Sequence, residues 1–128
     1  MRILLDTHTF LWMIFGDERL NETVRTQIGS PQNEVLLSVA TLWEIAIKTS
    51  LGKLDLKIPF EKIIEEQLDM YTFQMLPISF KALVAVSTMP FHHRDPFDRL
   101  LVAQAIVEDV PIVTRDSVFS SYPVKVLW

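Results

Sequence analysis

Short apolar runs that alternate with longer helical patterns are the feature that most limits how this chain can fold. Aliphatic and β-branched runs cover residues 2–5, 34–39, 73–76 and 112–114, and a last run covers 124–127. Helical periodicity lies between them, over residues 9–15, 21–28, 41–51, 60–71, 79–88 and 96–107. This alternation is typical of an α/β fold with a parallel sheet flanked by helices, in which 124–127 adds an edge strand.

Length and hydrophobic content indicate a single folded domain. The 128 residues are 49% hydrophobic and contain no linker or repeat, which predicts one domain over residues 1–128 and excludes intrinsic disorder. The longest unbroken apolar run, residues 10–15, is far shorter than the roughly 20 residues that span a bilayer. Asp6 would interrupt any signal-peptide core, so we expect a cytoplasmic protein with no membrane segment.

Charge and cysteine content narrow the chemistry that is available. The formal net charge is −4, so a nucleic-acid ligand needs local basic residues or a metal ion to offset the repulsion. Cysteine is absent, which excludes disulfide scaffolds, thiolate zinc sites and cysteine nucleophiles. Any metal ion must therefore be bound by oxygen or imidazole ligands.

Acidic residues follow three of the predicted strands. Asp6 directly follows the first strand, Asp116 lies two residues beyond residues 112–114, and Glu44 lies in the helix after the second strand. The carboxyl ends of parallel strands share one edge of a sheet, and ligands bind there in open α/β folds. The topology therefore predicts that these three carboxylates meet at that edge.

Asp95 and Asp98 stand at the start of an otherwise apolar helix. Asp95 as N-cap, Pro96 at the first helical position and Asp98 at the third are all favoured there for structural reasons alone. We assign Asp95 to the cap, and we expect the turn that it makes to place Asp98 at the edge of the sheet beside Asp6. Capping and catalysis then do not compete.

Each remaining acid has a structural alternative. Asp6 and Asp116 are able to cap the segments that follow them, and Glu44 has an i,i+4 partner in Lys48. Glu44 lies in an apolar helix, where a carboxylate is costly without compensation. Four carboxylates at one edge repel one another unless a divalent cation neutralises them. Oxygen ligands favour Mg²⁺ or Mn²⁺, with Asp6, Asp98 and Asp116 as its predicted ligands.

Other motifs add little to this prediction. His92 and His93 follow Pro90 without helical ligand spacing, and we expect them in a solvated loop. The sequence contains no glycine-rich phosphate loop and no Gly-x-Ser-x-Gly nucleophile turn. The aromatic run over residues 10–15 is typical of a core or of a subunit contact.

With the acids in this order, the sequence resembles the PIN-domain family, and within it the VapC-like toxins of toxin–antitoxin pairs. Four fragments carry the resemblance, over residues 4–7, 38–45, 98–105 and 113–116, and the match extends over nearly the whole chain. The resemblance implies Mg²⁺- or Mn²⁺-dependent cleavage of single-stranded RNA by a homodimer that a cognate antitoxin inhibits. The catalytic residues are then Asp6, Glu44, Asp98 and Asp116.

The resemblance also implies roles for further residues. Thr114 is expected to assist by its hydroxyl group, Asp95 to support the site, and Arg99 and Arg115 to contact the RNA backbone unless they form ordinary surface ion pairs. His8 stands where many relatives have Asn or Ser, and it either contacts substrate or caps the turn.

Two rival functions stay open from the sequence. A phosphatase of the haloacid-dehalogenase type would use Asp6 as its nucleophile, but that family has a second Asp two positions later, where this chain has His8. A non-catalytic PIN-like module would use the acids only to bind a structural ion or RNA.

A partner surface is predicted from excess apolar residues. The helices over 9–15 and 41–51 are apolar on more than one face, and their large side chains exceed what one core is expected to hold: Phe10, Trp12, Phe15, Leu42, Trp43 and Ile47. Large apolar patches seldom stay open to water. We expect an antitoxin segment to cover part of this surface.

Overall fold

Five short strands pair in parallel in the computed structural model, which describes residues 1–128. Their order across the sheet is β3-β2-β1-β4-β5. Leu4 is in register with Leu36 of β2 on one side and with Ile112 of β4 on the other. The strands are β1 Arg2–Leu5, β2 Glu34–Ser38, β3 Gln74–Leu76, β4 Ile112–Val113 and β5 Val126–Leu127. The predicted α/β class, the parallel sheet and the edge strand are confirmed.

Helices cover both faces of the sheet, which explains why the strands read as continuous apolar runs. Ile3, Leu4 and Leu5 are all fully buried, although successive side chains of a strand point to opposite faces. Leu4 belongs to one core cluster, and Ile3 and Leu5 belong to the other. The helices are α1 Thr7–Ile14, α2 Glu22–Gly29, α3 Val39–Ser50, α4 Phe60–Lys62, α5 Leu68–Met70, α6 Phe80–Thr88 and α7 Pro96–Glu108.

The predicted helix boundaries differ most at α1 and α3, which both begin two residues earlier than expected. Each begins directly after a strand because the last residue before it is a cap. Asp6 accepts a hydrogen bond from the backbone of Thr9, and Ser38 accepts one from the backbone of Ala40. The predicted helix over 60–71 is present, but Ile63–Gln67 between α4 and α5 has π-helical hydrogen bonding.

The chain changes direction across the sheet at β1. From β1 it passes to β2 and β3 on one side, and it then crosses back to β4 and β5 on the other. A crevice forms at the carboxyl ends of the strands where the order reverses in this way. Asp6 follows β1 and Asp116 follows β4, so the two residues border this crevice. None of the helices combines the length and the apolar content that a bilayer crossing requires.

Arg99 has a structural position, and the prediction that it contacts RNA is wrong. Its side chain is buried at 5% exposure inside α7. The guanidinium donates hydrogen bonds to the backbone carbonyls of Pro90 (2.8 Å), Met89 (3.2 Å) and Val86 (3.3 Å). Arg99 therefore joins the end of α6 and the following loop to α7, and both of its Nη groups are used within the protein.

Removal of the Arg99 guanidinium should destabilise the protein. Arg99→Met keeps much of the apolar volume but leaves buried carbonyls without donors, so we expect the free energy of unfolding to fall by about 2–4 kcal/mol. Urea denaturation measures this change. Arg94→Met is the matched control, because Arg94 is exposed in the same loop and its replacement should cost no more than about 0.5 kcal/mol. Equal midpoints for the two variants would contradict this role.

Candidate active site

Asp6 combines a structural and a functional position. Its Oδ1 accepts a hydrogen bond from the backbone N–H of Thr9 (2.8 Å) and thereby caps α1. Its Oδ2 accepts one from the hydroxyl group of Thr114 (2.6 Å). Burial raises the pKa of Asp6, and these hydrogen bonds act in the opposite direction. A buried carboxylate is thus oriented at both oxygens, each of which keeps a lone pair for a cation.

Thr114 links the acids that follow β1 and β4. Its hydroxyl oxygen accepts a hydrogen bond from the backbone N–H of Asp116 (3.0 Å) while its proton goes to Asp6. Asp116 Oδ1 accepts from the backbone of Val118 (2.9 Å) and caps the 3₁₀ helix Ser117–Ser121, as the structural alternative predicted. Asp116 Oδ2 is free of that cap. Thr114 therefore contacts both Asp6 and Asp116 through its hydroxyl group.

Asp95 caps α7, so the side chain of Asp98 is not needed as a cap. Asp95 Oδ1 accepts hydrogen bonds from the backbone N–H groups of Phe97 (2.8 Å) and Asp98 (3.2 Å), so the predicted cap is present. The carboxylate of Asp98 accepts no backbone hydrogen bond of the helix. Its Oδ2 lies 3.1 Å from Nε2 of His93. The cap turn therefore leaves the Asp98 carboxylate available at the sheet edge.

The electrostatics of Asp98 show that the predicted carboxylates converge. Burial and the negative charges of four neighbouring acids raise the pKa of Asp98 to about 8. Burial is the larger cause, and the neighbours are, in decreasing effect, Asp95, Glu44, Asp6 and Asp116. A pKa this high means that ionising Asp98 is unfavourable when no positive charge is added. At neutral pH without a cation Asp98 is therefore mostly protonated, and a cation bound beside it would favour the ionised form.

Glu44 is buried, so its pair with Lys48 is not an ordinary surface ion pair. Its Oε1 accepts a hydrogen bond from the hydroxyl group of Thr7 (2.6 Å), and its Oε2 contacts Lys48 Nζ (2.6 Å). The side chain of Glu44 is 4% exposed, whereas that of Lys48 is 38% exposed. The bond to Glu44 raises the pKa of Lys48. One ammonium group cannot neutralise the whole set of acids.

His93 was not expected at this site, and the prediction of a solvated position for it is wrong. Its side chain is 18% exposed, and its Nε2 lies 3.1 Å from Asp98 Oδ2 and 3.4 Å from Asp116 Oδ2. His92 is exposed and packs edge-on against Tyr122, as a loop residue does. The sequence signal for His93 was its place just before the cap, which folds the loop back against α7.

The hydrogen bonds of His93 identify its tautomer. Nδ1 accepts a hydrogen bond from the backbone N–H of Asp95 (3.1 Å), so the proton of a neutral ring is on Nε2. This proton is directed at Asp116 Oδ2, while Asp98 Oδ2 lies near the same nitrogen without hydrogen-bond geometry. Histidines that bind metal through one nitrogen usually donate from the other, which is the opposite arrangement. His93 is therefore a donor to Asp116, and the carboxylate oxygen atoms are the ligands that suit a cation.

The donor set fits a hard divalent cation. Ligand atoms of His93, Asp98 and Asp116 lie within 4.8 Å of one another, and Asp6 borders the same cleft as Asp116. Carboxylate oxygens without sulfur ligands are typical of Mg²⁺ or Mn²⁺ sites. A larger cleft of about 700 Å³ lies at the opposite edge of the sheet, but Glu34 is its single acid. The carboxylates that suit a metal ion therefore gather at the smaller cleft.

The raised pKa of Asp98 predicts that the metal-free protein loses stability as the pH rises. The unfolded chain ionises this group near 3.8 and the folded protein near 8, so unfolding releases a proton between these values. The contribution of Asp98 is complete below the lower value and is lost as the pH rises to the upper one. Thermal unfolding in EDTA at a series of pH values measures this loss.

Asp98→Asn removes the ionisable group and should flatten this pH dependence. Asp69→Asn is the control, since Asp69 is exposed on α5 and its replacement should keep the wild-type slope. Mg²⁺ should restore stability at pH 8 by binding the folded state. Parallel curves for the wild-type protein and Asp98→Asn would contradict the assignment.

Several solved structures have a fold similar to that of this chain. VapBC2 from Rickettsia felis, bound to a DNA fragment from its promoter, matches with a TM-score of 0.73 at 16% identity, over 99% of this chain and 98% of that chain. FitAcB from Neisseria gonorrhoeae matches with a TM-score of 0.73 at 22% identity, over 98% of this chain and 96% of that chain. FitAB bound to an IR36 DNA fragment matches with a TM-score of 0.72 at 21% identity, over 98% and 93%.

Sequence comparison decides the family. No curated protein matches the chain in sequence. The PIN domain family matches residues 3–125, which is nearly the whole chain. The strand order, the acids at the crevice and this match agree, and the chain belongs to the PIN domain family.

Proposed function

We propose that this protein is a metal-dependent endoribonuclease that cleaves single-stranded RNA and acts as the toxin of a toxin–antitoxin pair. The observation that carries the proposal is the convergence of Asp98 with four other acids, where burial and these negative charges raise the pKa of Asp98 to about 8. Membership of the PIN domain family supports it, because PIN domains are generally nucleases. A cation bound among these acids would replace the proton on Asp98, and a cation among carboxylates suits phosphodiester hydrolysis.

Asp6, Asp98 and Asp116 are the residues that would hold the cation, directly or through water. When bound, Mg²⁺ or Mn²⁺ supplies Lewis acidity, which lowers the pKa of water and neutralises charge on a phosphate group. Asp6 is prepared for this task because Thr9 and Thr114 fix both of its oxygens. No covalent enzyme intermediate is part of the proposal.

The other residues position these ligands. Glu44 adds negative charge beside Asp98, and Thr7 and Lys48 hold its carboxylate in place. The Nε2 proton of His93 orients Asp116, and the ring of His93 lies between Asp116 and Asp98. Asp95 supports the site by starting α7 at the required residue.

The two rival functions have less support. A phosphatase of the haloacid-dehalogenase type would need a second Asp two positions after Asp6, where this chain has His8, and Asp6 itself is only 5% exposed. A non-catalytic module would not need Asp6 and Asp116 to be oriented by Thr114 and His93 beside Asp98, the acid whose ionised form is least favourable. Measured turnover separates this module from an enzyme.

Neutralising one ligand should abolish RNA cleavage while the fold survives. Asp6→Asn and Asp98→Asn change charge with little change in volume, so we expect single-stranded RNA cleavage in Mg²⁺ to fall by about 100-fold or more. Labelled RNA pools with and without EDTA provide the measurement, and circular dichroism checks the fold. Asp69→Asn should cleave like the wild-type protein. Undiminished cleavage by Asp98→Asn would return Asp98 to a structural role.

An antitoxin is the proposed partner. The similar structures include VapBC2 and FitAB, each of which is described as bound to DNA. Among the predicted excess residues, Phe10 is fully buried, while Phe15 and Trp43 are 41% and 56% exposed. Val39 and Trp43 lie one turn apart on α3, and Trp43 packs against Phe97 beside Asp98. An apolar segment on this face would stand close to the carboxylates.

The charge of the site suggests how the antitoxin inhibits. A basic side chain from the partner, above all arginine, would pair with Asp98 and its neighbours and compete with the cation. A homodimer is also part of the proposal, and the exposed stripe on α6 offers it a separate surface: Phe80, Leu83 and Val84.

The partner should co-purify with this chain, and a substitution on α3 should weaken its binding. We expect the product of a neighbouring reading frame to bind and to suppress cleavage. Trp43→Glu should weaken this binding by about 100-fold, because a charge replaces an aromatic anchor that the partner would bury. Titration calorimetry measures the affinity. Met70→Glu is the control, since Met70 is 66% exposed at the opposite edge of the sheet. Equal affinities for both variants would contradict this docking face.

A further inference from the structure

A cleft of about 340 Å³ opens beside two of the proposed ligands and has residues that the metal chemistry does not use. Asp6 and Asp116 form its acidic end. The remaining lining residues are aromatic or basic: His8, Trp12, Arg19 and Arg115. The cleft therefore extends from the proposed cation site along the surface near β1 and β4.

One wall is built from stacked planar groups. The rings of His8 and Trp12 lie with centroids 5.8 Å apart at an angle of 41°. The guanidinium of Arg19 lies over the Trp12 ring at 5.1 Å, and Trp128 meets the same ring edge-on at 5.9 Å. Trp12 is half-buried among these neighbours, while His8 is exposed. An exposed aromatic ring suits a nucleic-acid base, because bases stack on aromatic faces.

Arg19 contributes a planar surface more than a free charge. Its Nε and Nη2 donate to Asp17 Oδ1 (3.0 Å) and Oδ2 (2.6 Å), a bidentate pair that neutralises both groups. This pair fixes the guanidinium where it covers Trp12. The basic character of the cleft must therefore come from another residue.

Arg115 is that residue. It is exposed, it forms no ion pair or side-chain hydrogen bond with any other residue, and it directly precedes Asp116. An arginine without a carboxylate partner in a chain with a net charge of −4 is a local site for an anion. His8 is likewise exposed in the first turn of α1 and makes no hydrogen bond. Neither residue is needed for the fold.

We propose that this cleft is a nucleotide subsite for single-stranded RNA, in which a base stacks on His8 against the Trp12 wall and a phosphate pairs with Arg115. The inference rests on the proposed function, since it places the nucleotide next to the one that is cleaved. Its neighbouring phosphate then reaches Asp6 and Asp116, which line the same cleft. Arg115 thus supplies the local positive charge that RNA binding requires of an acidic protein.

The test measures binding where cleavage is prevented. The parent is Asp98→Asn in Mg²⁺, which keeps His8, Trp12 and Arg115, and the probe is a fluorescein-labelled pool of ten-nucleotide single-stranded RNA of random sequence. Fluorescence anisotropy gives the affinity at several salt concentrations. Arg115→Ala and His8→Ala are introduced separately. Arg2→Ala is the matched control, because Arg2 is a partly exposed arginine at the opposite edge of the sheet.

The two variants should differ in their salt dependence. Arg115→Ala should weaken binding several-fold and reduce the slope of log affinity against log salt by about 0.7, the contribution of one phosphate contact to a single strand. His8→Ala should weaken binding by about tenfold through lost stacking and leave the slope unchanged. Arg2→Ala should match the parent in affinity and slope. In the cleavage assay, Arg115→Ala in the otherwise wild-type protein should raise KM more than it lowers kcat.

Each other outcome overturns the subsite. It is wrong if the parent does not bind the RNA pool, or if Arg115→Ala keeps both the affinity and the slope. It is also wrong if inorganic phosphate competes as well as RNA does and His8→Ala has no effect, because the cleft is then a simple anion site. Binding that responds as expected in a protein that does not cleave RNA would instead refute the nuclease proposal and leave the subsite standing.

Discussion

The repulsion among carboxylates at the carboxyl edge of a parallel sheet is the constraint on which the rest of this structure depends. Asp6 is buried because it ends β1 at the centre of the sheet, and hydroxyl and amide donors compensate it. Glu44 is compensated by Thr7 and Lys48. Asp98 is partly buried, accepts no hydrogen bond and faces the charges of the other acids, so its pKa rises to about 8. Burial raises the pKa of Asp6 as well, but the hydrogen bonds to Asp6 act in the opposite direction, whereas Asp98 has none.

Capping and metal chemistry share the same residue type without conflict, because a carboxylate has two oxygens. Asp6 and Asp116 each use one oxygen to start a helical segment, and in both the other oxygen faces a different part of the site. At α7 the tasks fall to two residues, with Asp95 as the cap and Asp98 as the free group. The structural alternatives for these acids were therefore correct and did not exclude a site.

Loop anchoring extends the site beyond the acids. Arg99 binds three carbonyls around the loop after α6, and the hydroxyl group of Tyr122 accepts a hydrogen bond from the backbone of His93. His93 reaches Asp98 and Asp116 because this loop is fixed at both ends. Arg99, which is next to the predicted acid Asp98 in sequence, is thus part of the support of the site.

The sequence by itself determined the strands, the helices and the sheet edge at which Asp6, Glu44, Asp98 and Asp116 meet, because hydrophobic periodicity and parallel topology are local patterns with one geometric outcome. The early starts of α1 and α3 were missed by two residues, since strand and cap are adjacent and periodicity does not separate them. Only the tertiary structure decided that Arg99 is buried, that His93 lies between two acids and that His8 and Arg115 share a cleft. Those outcomes depend on contacts between residues far apart in the chain, which no local pattern of a single sequence contains.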